Sequence, residues 1–141
     1  MKRSLDYLLL FYNKGKPLQL KEVSIALNVK PPSALETLNS LVKKGYLKKV
    51  KRGTFIITEK GEDYIREIIW KHAVLEHLFL NFNLGTKNLC EIVSKIEEYF
   101  SRDIIEKICE KLDHPDKCPH DYVVPHSGRK KLEKYKYCKV Y

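Results

Sequence analysis

The chain has 141 residues, 43% hydrophobic and 32% charged, a balance that excludes a disordered polymer and allows one or two small cored domains. Its formal net charge of +9 favours a polyanionic partner, most simply nucleic acid, although a lysine-rich surface alone would give the same sum. No apolar run is long enough to span a bilayer and the first residues lack a signal-peptide pattern, so a cytoplasmic protein without a membrane role is expected.

The pattern predicts a short helix over 4–12, with Ser4 as N-cap and Leu5, Leu8, Leu9 and Tyr12 at helical spacing. Residues 13–17, NKGKP, break it. A second helix over 20–27 carries Val23, Ala26 and Leu27 on one face, and 28–30 form a tight turn. A third helix opens on Pro31 and Pro32, where missing N–H groups cost nothing, buries Leu35, Leu38, Leu41 and Val42, and stops at Gly45. Two β-type runs, 46–50 and 54–58, flank Lys51-Arg52-Gly53 and predict a hairpin with a basic tip. Helix, helix, turn, helix, basic hairpin is the order of a winged helix-turn-helix, which we favour over an unspecified small α+β domain.

A long helix is expected from Glu59 to about Phe82, ended by 83–85, followed by helices over 86–100 and 101–112, the last capped by Ser101 with Asp103 in its first turn. After Leu112 the chain reads as irregular and finishes in a basic, tyrosine-rich tail. No internal repeat is visible. On the long helix His72 and Glu76 are four residues apart and share one face, which suits either a ligand pair or a plain ion pair. His77 lies about 100° further round and reads as a surface residue. Cys90, Cys109, Cys118 and Cys138 form no CxxC pair and read as free thiols, with metal ligation the secondary reading. There is no nucleophile–base pair, HExxH motif or phosphate loop, so an enzyme is not expected.

The sequences ITEKG (57–61), KHAVLE (71–76), IEEYFS (96–101) and LDHPDKCPH (112–120), in this order and spacing, resemble the diphtheria-toxin-repressor and manganese-transport-regulator family of metal-dependent repressors. The resemblance runs from about residue 4 to 125 and is to the two-domain branch. It implies a mainly α fold with a small β-wing. Residues 1–60 would form a winged-helix DNA-binding domain, 61–125 a helical metal-binding and dimerisation domain, and 126–141 a basic tail. A binuclear divalent-metal site would lie between the domains, with Mn(II) or Fe(II) as the usual co-repressor.

Carried over residue by residue, the resemblance implies metal ligands at Asp6, His72, Glu76 and Glu97, with Glu98 and Cys90 as further candidates. Leu9, Ser94 and Glu98 depart from the family's pattern, so one strong site is expected rather than two. A degenerate site in a metal-independent DNA-binding regulator, or a site for a different divalent ion, is the alternative. Cys118 and His120 are read as part of a structural cover.

For DNA, the third helix is expected in the major groove. Ser33, Glu36 and Thr37 would reach base edges or phosphates, Lys30 a phosphate, and Pro31 and Pro32 thymine methyl groups. Lys43 faces the DNA backbone side, and Lys49, Lys51 and Arg52 on the wing contact phosphates across the minor groove. The partners expected are double-stranded DNA with a palindromic operator and a second copy of the chain, with no small-molecule substrate.

Overall fold

The computed structural model describes residues 3–83, 88–119, 122–125 and 135. The chain divides into two compact units, Met1–Ile65 and Arg66–Tyr141, and one long helix runs through the division.

In the first unit α1 spans Ser4–Lys14. Its N-cap is Arg3 rather than the expected Ser4, because the Asp6 carboxylate reaches back to accept the Arg3 backbone N–H at 2.8 Å. A two-residue strand that the sequence did not announce, β1 (Leu18–Gln19), leads directly into α2 (Leu20–Leu27). Asn28, at φ 52°, ends α2 in the left-handed region that asparagine tolerates, and the Ser24 hydroxyl donates to Val29 O at 2.5 Å across the turn. α3 then covers Pro31–Lys43, with the two prolines in its first turn. Its buried stripe is Ala34, Leu38 and Leu41; Leu35, expected inside, is exposed.

The hairpin consists of β2 (Leu47–Lys51) and β3 (Thr54–Ile57), antiparallel, with a register irregularity between Lys49 and Lys51 just before the tip. β1 pairs with β3, so the sheet order is β1-β3-β2. Helix α4 (Glu59–Asn81) starts immediately after β3. Its first turn is pinned to the α3–β2 turn: Thr58 Oγ1 donates to Gly45 O at 2.6 Å, Lys60 Nζ donates to Lys44 O at 2.9 Å, and Tyr46 stacks on Tyr64 at 4.9 Å. Gly61 is required by that approach, since a Cβ there would sit 2.4 Å from Tyr46 O. The core of this unit includes Leu5, Leu8, Phe11, Leu38, Leu41, Leu47 and Phe55, all at most 2% exposed.

In the second unit, the rest of α4 packs with α5 (Leu89–Ile96), a single 3₁₀ turn (Glu97–Tyr99) and α6 (Arg102–Lys111). The helix expected to run unbroken to Phe100 thus gives way at Ile96 to a tighter turn. Ser101 caps α6 as expected, its hydroxyl accepting the Ile104 N–H at 3.4 Å. Trp70, Val74, Leu75, Val93, Ile105 and Cys109 are among the residues of one buried cluster. The segment after α6 is held over it: Cys118 and Val124 join the cluster, Lys117 and Val123 form an antiparallel bridge, and Cys118 N–H donates to Tyr122 O at 2.8 Å.

Candidate metal centre and DNA-binding face

The second unit buries an unusual amount of charge. His72, Glu76 and Glu97 are each at most 1% exposed. Burying ionised groups is costly unless they are paired or hold a metal. Here they face one another. The four-residue spacing on α4 brings His72 Nε2 directly onto Glu76 Oε1. The other ring nitrogen, Nδ1, lies 2.5 Å from Glu97 Oε2 on the 3₁₀ turn. From the start of α5, Cys90 Sγ donates to Glu76 Oε1 at 3.4 Å. One ligand atom each from His72, Glu76 and Cys90 lies within 4.8 Å of the other two.

The two carboxylates set the state of the imidazole. Burial by itself would lower the His72 pKa, but hydrogen bonds to Glu76 and Glu97, and their charges, outweigh it and hold the ring at about 9, above its ordinary 6.5. The proton thus occupies the place a cation would take. A nitrogen, an oxygen and a sulfur donor converge from α4 and α5, while a separate carboxylate holds the far side of the histidine ring. Metal-ligating histidines are oriented by a partner in this way. The donor set therefore fits a divalent ion: His72 Nε2, Glu76 and Cys90 would hold it, and Glu97 would fix the ring through Nδ1.

The remaining residues of the expected set are placed differently. Glu98 shares the 3₁₀ turn with Glu97 but is exposed and outside the cluster. Asp6 belongs to the first unit, where it caps α1. Leu9 is core, and the buried Ser94 hydroxyl donates to Glu91 O at 2.7 Å. His120 and Cys138 lie outside the described residues.

Two supports escaped the sequence reading. Lys71, next to the site and 7% exposed, donates from Nζ to Phe100 O at 2.7 Å and lies 3.7 Å from Glu67, which also pairs with Arg102 at 3.6 Å. This braces the turn that carries Glu97. His77 is no idle surface group: its Nε2 meets Lys117 O at 2.6 Å and ties the segment after α6 to α4. Nothing in residue type or spacing announces either contact, because both partners are backbone carbonyls.

In the first unit, Lys30, Pro31, Pro32, Ser33, Glu36 and Lys43 of the α3 region are exposed and Thr37 is half-buried. Lys49, Lys51 and Arg52 are exposed on the hairpin, with Lys49 Nζ 5.9 Å from the centre of the Phe55 ring. The helix pair, the basic wing and the buried donor cluster define a winged helix-turn-helix protein joined to a helical metal-binding unit.

Comparison with known proteins agrees. Residues 58–126 match the family model of the iron-dependent repressor metal-binding and dimerisation domain. The chain is 29% identical over 111 residues to the transcriptional regulator MntR of Lysinibacillus sphaericus, covering 79% of each chain. It is 26% identical over 113 residues to MntR of Oceanobacillus iheyensis, covering 77% of this chain and 76% of that one. Among solved structures, a Sulfolobus solfataricus protein aligns with a TM-score of 0.78 and 29% identity, covering 85% of this chain and 95% of that one. The repressor ScaR with bound zinc aligns with a TM-score of 0.78 and 27% identity, and the match spans 96% of this chain but 65% of that one. By these matches the chain is similar to the diphtheria-toxin-repressor and manganese-transport-regulator family of metal-dependent repressors. The relatives in these comparisons are transcriptional regulators, and the matched domain model is that of an iron-dependent repressor. Among the described residues no helix is long and apolar enough to cross a membrane.

Proposed function

We propose that this chain acts in the cytoplasm as a homodimeric repressor that grips a palindromic operator when a divalent ion, Mn(II) or Fe(II), occupies the second unit. The observation that carries this reading is the buried His72, flanked by Glu76 and Glu97 with Cys90 against Glu76, in a chain that begins with a winged helix. Residues 1–60 are assigned to DNA, 61–125 to metal and dimerisation, and the basic tail from 126 to nonspecific phosphate contact. His72, Glu76 and Cys90 are the ligands this reading favours, with Glu97 positioning His72.

On the DNA side, α3 enters the major groove. Ser33, Glu36 and Thr37 face base edges, Pro31 and Pro32 meet thymine methyl groups, and Lys30 and Lys43 meet phosphates. Lys49, Lys51 and Arg52 neutralise phosphates beside the minor groove. Two copies related by a two-fold axis present two such helices to half-sites one helical turn, or a multiple, apart. A bound metal would supply positive charge that offsets the buried carboxylates. It shifts DNA affinity only by its differential affinity for the DNA-competent state.

The test is operator affinity with Mn(II) or Fe(II) and in chelator, for the native chain and for His72→Ala. Equal affinity with and without metal sinks the switch. It leaves the second reading, a metal-independent regulator in which the His72 imidazolium merely neutralises two glutamates. Leu9 in the core and Ser94 bonded to its own helix are the observations on that side.

A further inference from the structure

We infer that Cys90 makes this centre a mixed imidazole–carboxylate–thiolate site, tuned for thiophilic divalent ions, so that it takes Fe(II), Co(II) and Zn(II) in strong preference to Mn(II). The inference deepens the proposed metal switch and rests on it.

Three observations support it. First, Cys90 Sγ is already turned toward the metal-type donors, 3.4 Å from Glu76 Oε1 and within the 4.8 Å cluster with His72. Second, the other two described cysteines are spent elsewhere. Cys109 and Cys118 are both at most 6% exposed in the apolar cluster with Trp70 and Ile105, and neither belongs to the donor group. Third, the other carboxylate near His72 is committed to the ring's Nδ1, and Glu98 is exposed. Among the described residues, the side-chain donors grouped with His72 are therefore one carboxylate and one sulfur.

Manganese(II) sits at the weak end of the divalent series and prefers oxygen donors. Thiolate donors favour the later ions, so one sulfur in place of an oxygen or nitrogen widens the gap in their favour. The thiol gives its proton to solvent as the ion binds; no oxidant or reductant takes part.

The experiment uses the full-length chain under anaerobic conditions. Co(II) is titrated in as a spectroscopic stand-in while a thiolate-to-cobalt charge-transfer band is followed in the near ultraviolet. Affinities for Fe(II), Zn(II) and Mn(II) are then measured by competition with a chelating dye. The native chain is expected to show the band, and Cys90→Ser to lose it. The ratio of Fe(II) to Mn(II) affinity should fall about tenfold or more in Cys90→Ser, the scale on which a change of donor environment acts. Cys90→Asp, which restores a charged oxygen donor, should bring Mn(II) affinity up while losing the band. Metal bound at His72 with no charge-transfer band in the native chain, and an Fe(II)/Mn(II) ratio unchanged by both substitutions, overturns the inference and leaves the metal switch standing. Failure of any of these ions to bind in a His72-dependent way overturns both.

Discussion

His72 and Glu97 are 25 residues apart in the chain, yet His72 Nδ1 lies 2.5 Å from Glu97 Oε2 with both side chains buried. This contact joins α4 to the 3₁₀ turn, and with Glu76 on the other nitrogen it places a positive ring between two negative groups.

The first prediction concerns pH. The His72 pKa in the folded, metal-free chain is about 9, above the ordinary 6.5. A raised folded value means that protonation stabilises the fold. That contribution is complete below about pH 6.5 and disappears as the pH climbs through about 9. The groups facing the ring are Glu76, Glu97 and Cys90. In chelator, the melting temperature should therefore drop between pH 6.5 and 9, and His72→Gln should flatten that part of the curve. A melting temperature equally pH-dependent in the variant would place the effect elsewhere. Metal must displace the same proton, so metal affinity should rise over this interval and binding should release protons, which calorimetry in buffers of different ionisation enthalpy will detect.

The second prediction separates the ring's orienter from its ligands. Glu97→Gln keeps the size of the side chain but replaces a charged acceptor with a neutral amide. If Glu97 acts through Nδ1, the substitution should lower metal affinity by about 10–100-fold without removing binding. Glu76→Gln should cost more, because it removes a donor itself. Equal losses in the two variants would make Glu97 a direct ligand. Titration calorimetry decides, with circular dichroism confirming that both variants fold.

His72 and Glu76 were legible because a helix of 3.6 residues per turn forces positions four apart onto one face. Helical periodicity did not separate Glu97 from Glu98, although the resemblance ranked Glu97 first. Both stand in a stretch that reads as continuous helix, and only the switch to a 3₁₀ turn at Ile96 decides which one turns inward. In the first unit, the helix pair and hairpin follow from proline, glycine and two β-type runs around a basic tip. Ala34 rather than Leu35 faces the core because the helix's rotation is set by tertiary packing, which a leucine count cannot reveal. β1 is two residues long, too short for any periodicity to show.

The third prediction tests the brace beneath Glu97. Lys71 donates to Phe100 O at 2.7 Å from a nearly buried position, and Glu67 lies beside it. Lys71→Met fills the space but leaves the carbonyl without that donor, a loss on the order of 1–3 kcal/mol. The melting temperature should fall accordingly. Amide exchange should quicken around Glu97–Tyr99, and metal affinity should weaken less than in Glu97→Gln. Unchanged exchange in that turn would reduce Lys71 to a bystander.

The last prediction concerns the wing. Lys49, Lys51 and Arg52 are exposed, and Lys51 and Arg52 stand at the turn of a hairpin whose register breaks between Lys49 and Lys51. A basic turn of this kind can follow a phosphate backbone, as Lys and Arg side chains commonly do. Its contribution should therefore be electrostatic and independent of sequence. Replacing Lys51 and Arg52 with alanine should weaken binding to operator and to random duplex by the same factor. The slope of log affinity against log salt should shrink by about 0.9 for each phosphate that the wing no longer neutralises. Ser33→Ala and Thr37→Ala on α3 should do the reverse, leaving the slope unchanged while narrowing the gap between operator and random DNA. A salt slope untouched by the wing substitutions would remove the hairpin from the interface, and the +9 net charge of the chain would need another site of action.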